Sequence, residues 1–154
     1  MIVEQIGHMK PFKDLENGTL FYRGNLGIKV TIDSHSSVLV LEAGPKAVMY
    51  DGNDLANRSV LVLNKPVFQV KNDLALWHFG VPKGPVTGIV VVSADGQRLR
   101  AHHESGEYDI DLATGIGHRI NADENVSWTA AWRVVSKSGF EQETALLQSS
   151  EWER

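Results

Sequence analysis

Residues 90–112 read VVVSADGQRLRAHHESGEYDIDL, and the alternation in this stretch decides the fold class. Asp95-Gly96 is a strong hairpin signal, because a type I′ turn needs positive φ at both central positions. A two-residue loop there pairs Ala94 with Gln97, Ser93 with Arg98, Val92 with Leu99, Val91 with Arg100 and Val90 with Ala101. Side chains on a strand alternate between faces. Val90, Val92, Leu99 and Ala101 therefore make the core face, and Val91, Ser93, Arg98 and Arg100 the opposite one.

Continuing the strand puts His102 with Arg98 and Arg100, and His103 with Leu99 and Ala101. Adjacent strand residues point apart, so the two histidines do not share an ion without a bulge. The next run alternates strictly, with Glu107, Asp109 and Asp111 on one side and Tyr108, Ile110 and Leu112 on the other. An even-numbered loop sets Arg100 against Asp109, Arg98 against Asp111, Ala101 against Tyr108 and Leu99 against Ile110. A one-residue slip would oppose Arg100 to Ile110 and Ala101 to Asp109. The carboxylates are thus expected as cross-strand ion pairs on a wet face, each worth roughly a few tenths of a kcal/mol.

The rest of the chain has the same texture. Strands are expected at residues 19–23, 28–33, 38–43, 46–50, 59–63, 67–71, 75–79, 88–93, 98–102, 107–112 and 125–135. Turn formers separate them, including Asn17-Gly18, Gly44-Pro45, Asp51-Gly52 and Lys65-Pro66. This pattern predicts a single-domain, all-β antiparallel sandwich or barrel of about ten short strands. Residues 79–88, FGVPKGPVTG, read as a long loop rather than a hinge, since each half alone would have a marginal core. The last fifteen residues, FEQETALLQSSEWER, are the best candidate for a short helix. No internal repeat stands out in the residues.

Composition bounds the function. The 154 residues are 42% apolar and 22% charged, as in folded globular domains. A net charge of −4 leaves no clustered basic footprint for nucleic acid. There is no cysteine, which excludes disulfides, thiolate nucleophiles and thiolate-bound metal. The first residues carry Glu4 in a very short apolar run, unlike a secretory signal, and no run approaches membrane-spanning length. A soluble, cytoplasmic protein with no nucleic-acid or membrane partner is expected.

Two constellations compete with a purely structural account. His103, Glu104 and His118 are trial ligands for a divalent metal, as on a cupin-like barrel, although a cupin's two histidines are separated by one residue and these begin with an adjacent pair. Trp128 and Trp132 fall on one face of the 125–135 strand, about 13 Å apart, a spacing that suits a small-ligand or carbohydrate platform as well as a core stripe. Gly115-Ile116-Gly117 lacks the third glycine and following helix of a dinucleotide loop. No nucleophile elbow, Walker A or H-E-x-x-H pattern occurs. The expectation is a non-catalytic protein with a binding or assembly role and a capacity to form homo-oligomers, requiring no cofactor. A metal-dependent enzyme and a ligand-binding module are the alternatives.

Overall fold

A computed structural model of the chain describes residues 6–44, 46–64, 66–82, 87–94, 96–120, 124–137 and 143–153. The fold is all-β, with a closed six-stranded barrel and further strands around it, and no helix of seven or more residues among the described residues. The barrel is built from two meanders. The first comprises β3 (Leu26–Ile32), β4 (His35–Glu42) and β5 (Lys46–Asp51); the second comprises β10 (Gly96–His103), β11 (Gly106–Asp111) and β12 (Ile116–Arg119). Two parallel seams close the ring, β5 on β10 at Val48 and His102, and β12 on β3 at Thr31 and Ile116. The expectation of an all-antiparallel sheet is corrected at these seams.

The remaining strands extend the sheet outward. From β3 it continues through β2 (Leu20–Tyr22) and β6 (Ser59–Leu63) to β1 (Gly7–Pro11). From β10 it continues through β9 (Ile89–Ser93) and β13 (Val126–Thr129) to β8 (His78–Gly80). A separate sheet has the order β15 (Glu143–Gln148), β14 (Trp132–Lys137), β7 (Pro66–Val70). Every pairing within β1–β7 recurs within β8–β14, each parallel seam maps onto the other, and β7 pairs with its own counterpart β14. The chain is therefore a structural duplication about a pseudo-twofold axis. The repeat escapes inspection of the residues because buried positions are matched in pattern rather than identity: Val30, Leu39 and Ser37 stand where Ala101, Ile110 and Tyr108 stand in the second half.

Period-two burial sets the core. Val30, Leu39, Ala47, Leu99, Ala101, Tyr108 and Ile110 point inward and are fully buried. Each such aliphatic side chain contributes roughly 1.5–3 kcal/mol relative to exposure. The second sheet covers the barrel with Trp132 and Val134, and Phe68 stacks on the Trp132 ring at 5.4 Å. Gly117 faces Ile32 and Ile110 inside the barrel, where even a methyl group would stand 2.5 Å from Ile32 Cγ2. A separate plug, Phe12 and Leu15, covers Phe21, Val38 and Val60. Lys29 fixes that plug by donating to the carbonyls of Phe12, Lys13 and Leu15 at 3.2, 3.3 and 2.8 Å. Burial lowers the Lys29 pKa against the opposing effect of Asp14.

The β10–β11 register is the expected one, with Arg100 opposite Asp109 and Ala101 opposite Tyr108. At β9–β10 the pairing is displaced by two residues, Ser93 meeting Gly96 and Val90 meeting Leu99. A displacement of two preserves both faces. The expected turn residue Asp95 lies outside the described residues. The face predicted to be wet is half covered, because β13 pairs with β9 and packs Val126 and Trp128 over Ile89 and Val91.

Three expected elements are corrected. The 125–135 strand breaks after Thr129, whose hydroxyl donates to Leu76 O at 2.8 Å and accepts from Ala131 N–H at 3.2 Å. The 75–79 strand begins instead as a 3-10 turn, Leu74–Leu76, whose first N–H groups are capped by Asp73 through Ala75 N–H. The C-terminal helix is replaced by strand β15 and a 3-10 turn, Ser150–Glu153. Tertiary pairing overrides propensity there: Leu146 and Leu147 pack on the core, and Arg133 stacks on Trp152 at 4.5 Å. Among the described residues no helix is long and apolar enough to cross a membrane.

Candidate functional site

The β3–β4 and β10–β11 hairpins occupy equivalent places in the two halves. Their two-residue tips are Asp33-Ser34, closed by Ile32 and His35, and Glu104-Ser105, closed by His103 and Gly106. Each tip carries a carboxylate followed by serine. Asp33 and Ser34 both have positive φ, 47° and 66°, a conformation that costs energy for a serine and marks a turn held by its surroundings.

What holds it is a chain of polar contacts between the tips. Tyr108 has its ring fully buried, and its hydroxyl donates to Asp33 Oδ2 at 2.9 Å. Ser105 Oγ lies 3.1 Å from the same hydroxyl and 2.7 Å from His103 Nδ1. Ser105 N–H also donates to His103 Nδ1 at 3.2 Å, so this nitrogen accepts. Arg119 lies over the Tyr108 ring at 5.3 Å, donates to Ser105 O at 3.4 Å and approaches Asp33 Oδ2 at 4.0 Å. One tip from each half is thus tied to the other.

Beside this chain, at the β5–β10 seam, is an open cavity of about 640 Å³. Its walls carry three carboxylates, Asp33, Asp51 and Glu104, and three imidazoles, His35, His102 and His103. Asp51 is steadied by Asn53, whose N–H donates to Oδ1 at 2.9 Å. Tyr50 stands at the rim and is half exposed. Ser36 Oγ, also of the wall, is buried and has no hydrogen-bond partner among the described residues. Among the described residues neither lysine nor arginine lines the cavity.

The predicted site residues separate on this framework. His103 and Glu104 belong to the cavity, whereas His118 is exposed opposite Asp109 on the outer face of the sheet. The three do not form one metal site, and no group of three or more His, Asp or Glu among the described residues is placed to hold a metal ion. The reason is the alternation itself: His103 follows Ala101 to the inner face, and Asp109 carries His118 to the outer.

The tryptophans separate too. Trp132 is fully buried and donates Nε1–H to Gly88 O at 2.8 Å, while Trp128 lies in the other sheet, stacked on His78 at 4.2 Å. Once the strand breaks at residue 130 the two indoles no longer share a platform. Of the carboxylates, Asp109 takes a two-bond pair from Arg100 at 2.8 and 3.1 Å, and Glu107 pairs with His102 at 3.0 Å. The expected Arg98–Asp111 pair is replaced by a turn in which Asp111 accepts from Ala113 and Thr114 N–H, leaving Arg98 Nε buried without a partner among the described residues.

Sequence reasoning missed Asp33, Asp51, Tyr108 and Arg119 as members of one site. The available signal was the matched acid-serine tips, Asp33-Ser34 and Glu104-Ser105, which become visible as equivalent only when both hairpins are aligned. No protein-family model, curated protein or solved structure matches the chain.

Proposed function

We propose that the chain is a non-catalytic binding protein whose ligand site is the cavity beside the two hairpin tips. The observation that carries this is the convergence of polar side chains from both halves on a cavity of about 640 Å³, within the size range of small-molecule sites. The tip-to-tip chain through Tyr108 holds those groups before any ligand arrives, which reduces the ordering cost of binding. The test is an amide NMR screen of a chemically diverse small-molecule panel. Ligands should perturb residues 33–37, 50–53 and 102–105 together, and a panel that leaves all of them unmoved would refute the assignment.

Self-association is a second reading, favoured by one observation. Phe79, within strand β8, is 82% exposed, and Leu74, in the turn before it, is 85% exposed; β8 pairs with β13. Light scattering of the wild type and of Phe79→Ser distinguishes it: a dimer that becomes monomeric supports assembly there, and a monomeric wild type removes it.

A further inference from the structure

Resting on the reading that the chain self-associates, we infer that copies join head to tail: the edge of β1 in one protomer pairs antiparallel with the edge of β8 in the next. β1 and β8 end the twelve-stranded sheet, and among the described residues β1 pairs with β6 and β8 with β13. An open edge presents unpaired backbone N–H and C=O groups to another strand.

The duplication makes the two edges equivalent residue by residue. Leu26 and Gln97 precede the equivalent Val30 and Ala101 by the same interval. Leu26 stands opposite Tyr22, Tyr22 opposite Leu61 and Leu61 opposite Met9; Gln97 stands opposite Val92, Val92 opposite Ser127 and Ser127 opposite Phe79. Met9 and Phe79 therefore occupy the same place, and His8-Met9 on β1 matches His78-Phe79 on β8. Met9 is 63% and Phe79 82% exposed, and the adjoining Ile6 and Val81 are exposed as well. One exposed apolar side chain is ordinary, whereas the same position exposed in both halves, each time at an open sheet edge, marks a joint.

The partner that fits is this chain itself. β7 already pairs antiparallel with its own counterpart β14, so a β1–β8 joint repeats between protomers a contact that the fold makes within one. The lengths agree, since β8 has three residues and the exposed part of β1, His8 to Lys10, lies between the partly buried Gly7 and Pro11. Centred on Met9 and Phe79, the pairing sets His8 opposite Gly80 and Lys10 opposite His78, and Pro11, which has no N–H for a ladder, falls beyond β8. Directly opposed side chains project to the same side, so the Met9 thioether meets the Phe79 ring and the row Tyr22, Leu61, Met9 runs on into the neighbour. Pairing β8 with β8 would leave the equivalent β1 edge and Met9 uncovered. A head-to-tail contact is heterologous, closing as a ring or continuing as a chain.

The experiment measures the mass of the full chain by light scattering for wild type, Met9→Asp, Phe79→Asp and an equimolar mixture of the two variants. A joint this short belongs to the weak class of contacts, so the range is about 10 µM to 1 mM. Wild-type mass is expected to rise above one chain with concentration, and each variant alone to stay at one chain. The mixture should recover a mass of two chains, because one variant's intact β1 meets the other's intact β8 while the remaining joint opposes two aspartates. Both positions are exposed, so folding is expected to survive; amide spectra check it, and Met9→Ser and Phe79→Ser take their place where an aspartate disturbs the fold.

A wild type that stays at one chain throughout overturns both self-association and the head-to-tail joint. Association abolished by Phe79→Asp but untouched by Met9→Asp overturns the head-to-tail joint and leaves self-association through β8 standing. A mixture that stays at one chain while the wild type associates overturns the head-to-tail joint as well.

Discussion

Replacing Arg100 with methionine removes both hydrogen bonds to Asp109 and leaves a carboxylate whose side chain is only 15% exposed. Breaking a fully buried ion pair from one side costs about 3–5 kcal/mol, since the surviving charge keeps its desolvation penalty. The residual exposure of Asp109 admits some water, so the expected cost is about 2–4 kcal/mol. At roughly 2–4 °C per kcal/mol for a chain of this size, the melting temperature should fall by about 5–15 °C. Replacing both partners, Arg100→Met with Asp109→Leu, removes the stranded charge and should recover most of the loss, ending within about 1 kcal/mol of wild type. His102→Ala is the internal control: its pair with Glu107 is 52% and 25% exposed and is worth roughly a few tenths of a kcal/mol. Urea unfolding followed by circular dichroism, with slopes compared to verify equal exposure, measures all four proteins. If Arg100→Met costs no more than His102→Ala, or if the double variant is as unstable as the single, the burial argument for this pair fails.

Other substitutions test other parts of the fold. Gly117→Ala should destabilise by about 1–3 kcal/mol in the same unfolding assay, because its Cβ would stand 2.5 Å from Ile32 Cγ2 and 2.6 Å from Ile110 Cδ1. Tyr108→Phe keeps the buried ring and deletes the link between tips, so it should cost about 1 kcal/mol and speed amide exchange at both Ser34 and Ser105. Lys29 has a folded-state pKa below its ordinary value, so the unfolded chain holds the extra proton in the window just beneath 10.5. Stability from this group is therefore complete above 10.5 and lost as pH falls through the lowered value; Lys29→Met should abolish that segment of the stability-pH curve, and a superimposable curve would refute it.

The barrel's composition was legible where one face alone is buried. In 90–112 the alternation of Leu99, Ala101, Tyr108 and Ile110 gave the faces and the β10–β11 register outright, because a one-residue slip there buries charge. It could not give the two-residue displacement at β9–β10, since that shift leaves every face unchanged. The broken strand at Thr129 was hidden because the break depends on Leu76, far away in sequence, whose carbonyl takes the threonine hydroxyl. At the C-terminus, Ala145, Leu146 and Leu147 are sound helix formers, and only the open edge of β14 makes them a strand.

For the candidate site, His103 at the loop mouth was legible from face alternation and Glu104 from its neighbour. The remainder was not, because Asp33 and Asp51 reach the cavity through the parallel seam, and a seam leaves no local pattern of its own. The misplacement of His118 has the same root: its position follows from Asp109 across one ladder, which sequence spacing alone does not reveal.

The two seams also order the assembly of the molecule in time. Each meander joins neighbours in the chain, and its ladders close over short loops. Val48 with His102, and Thr31 with Ile116, must find each other across whole meanders, a search whose entropy cost is met before any reward. The seams are therefore expected late in folding. Val48 and His102 line the cavity, so the site comes into being with the last closure, and a molecule that settles there tightens the joint that made it.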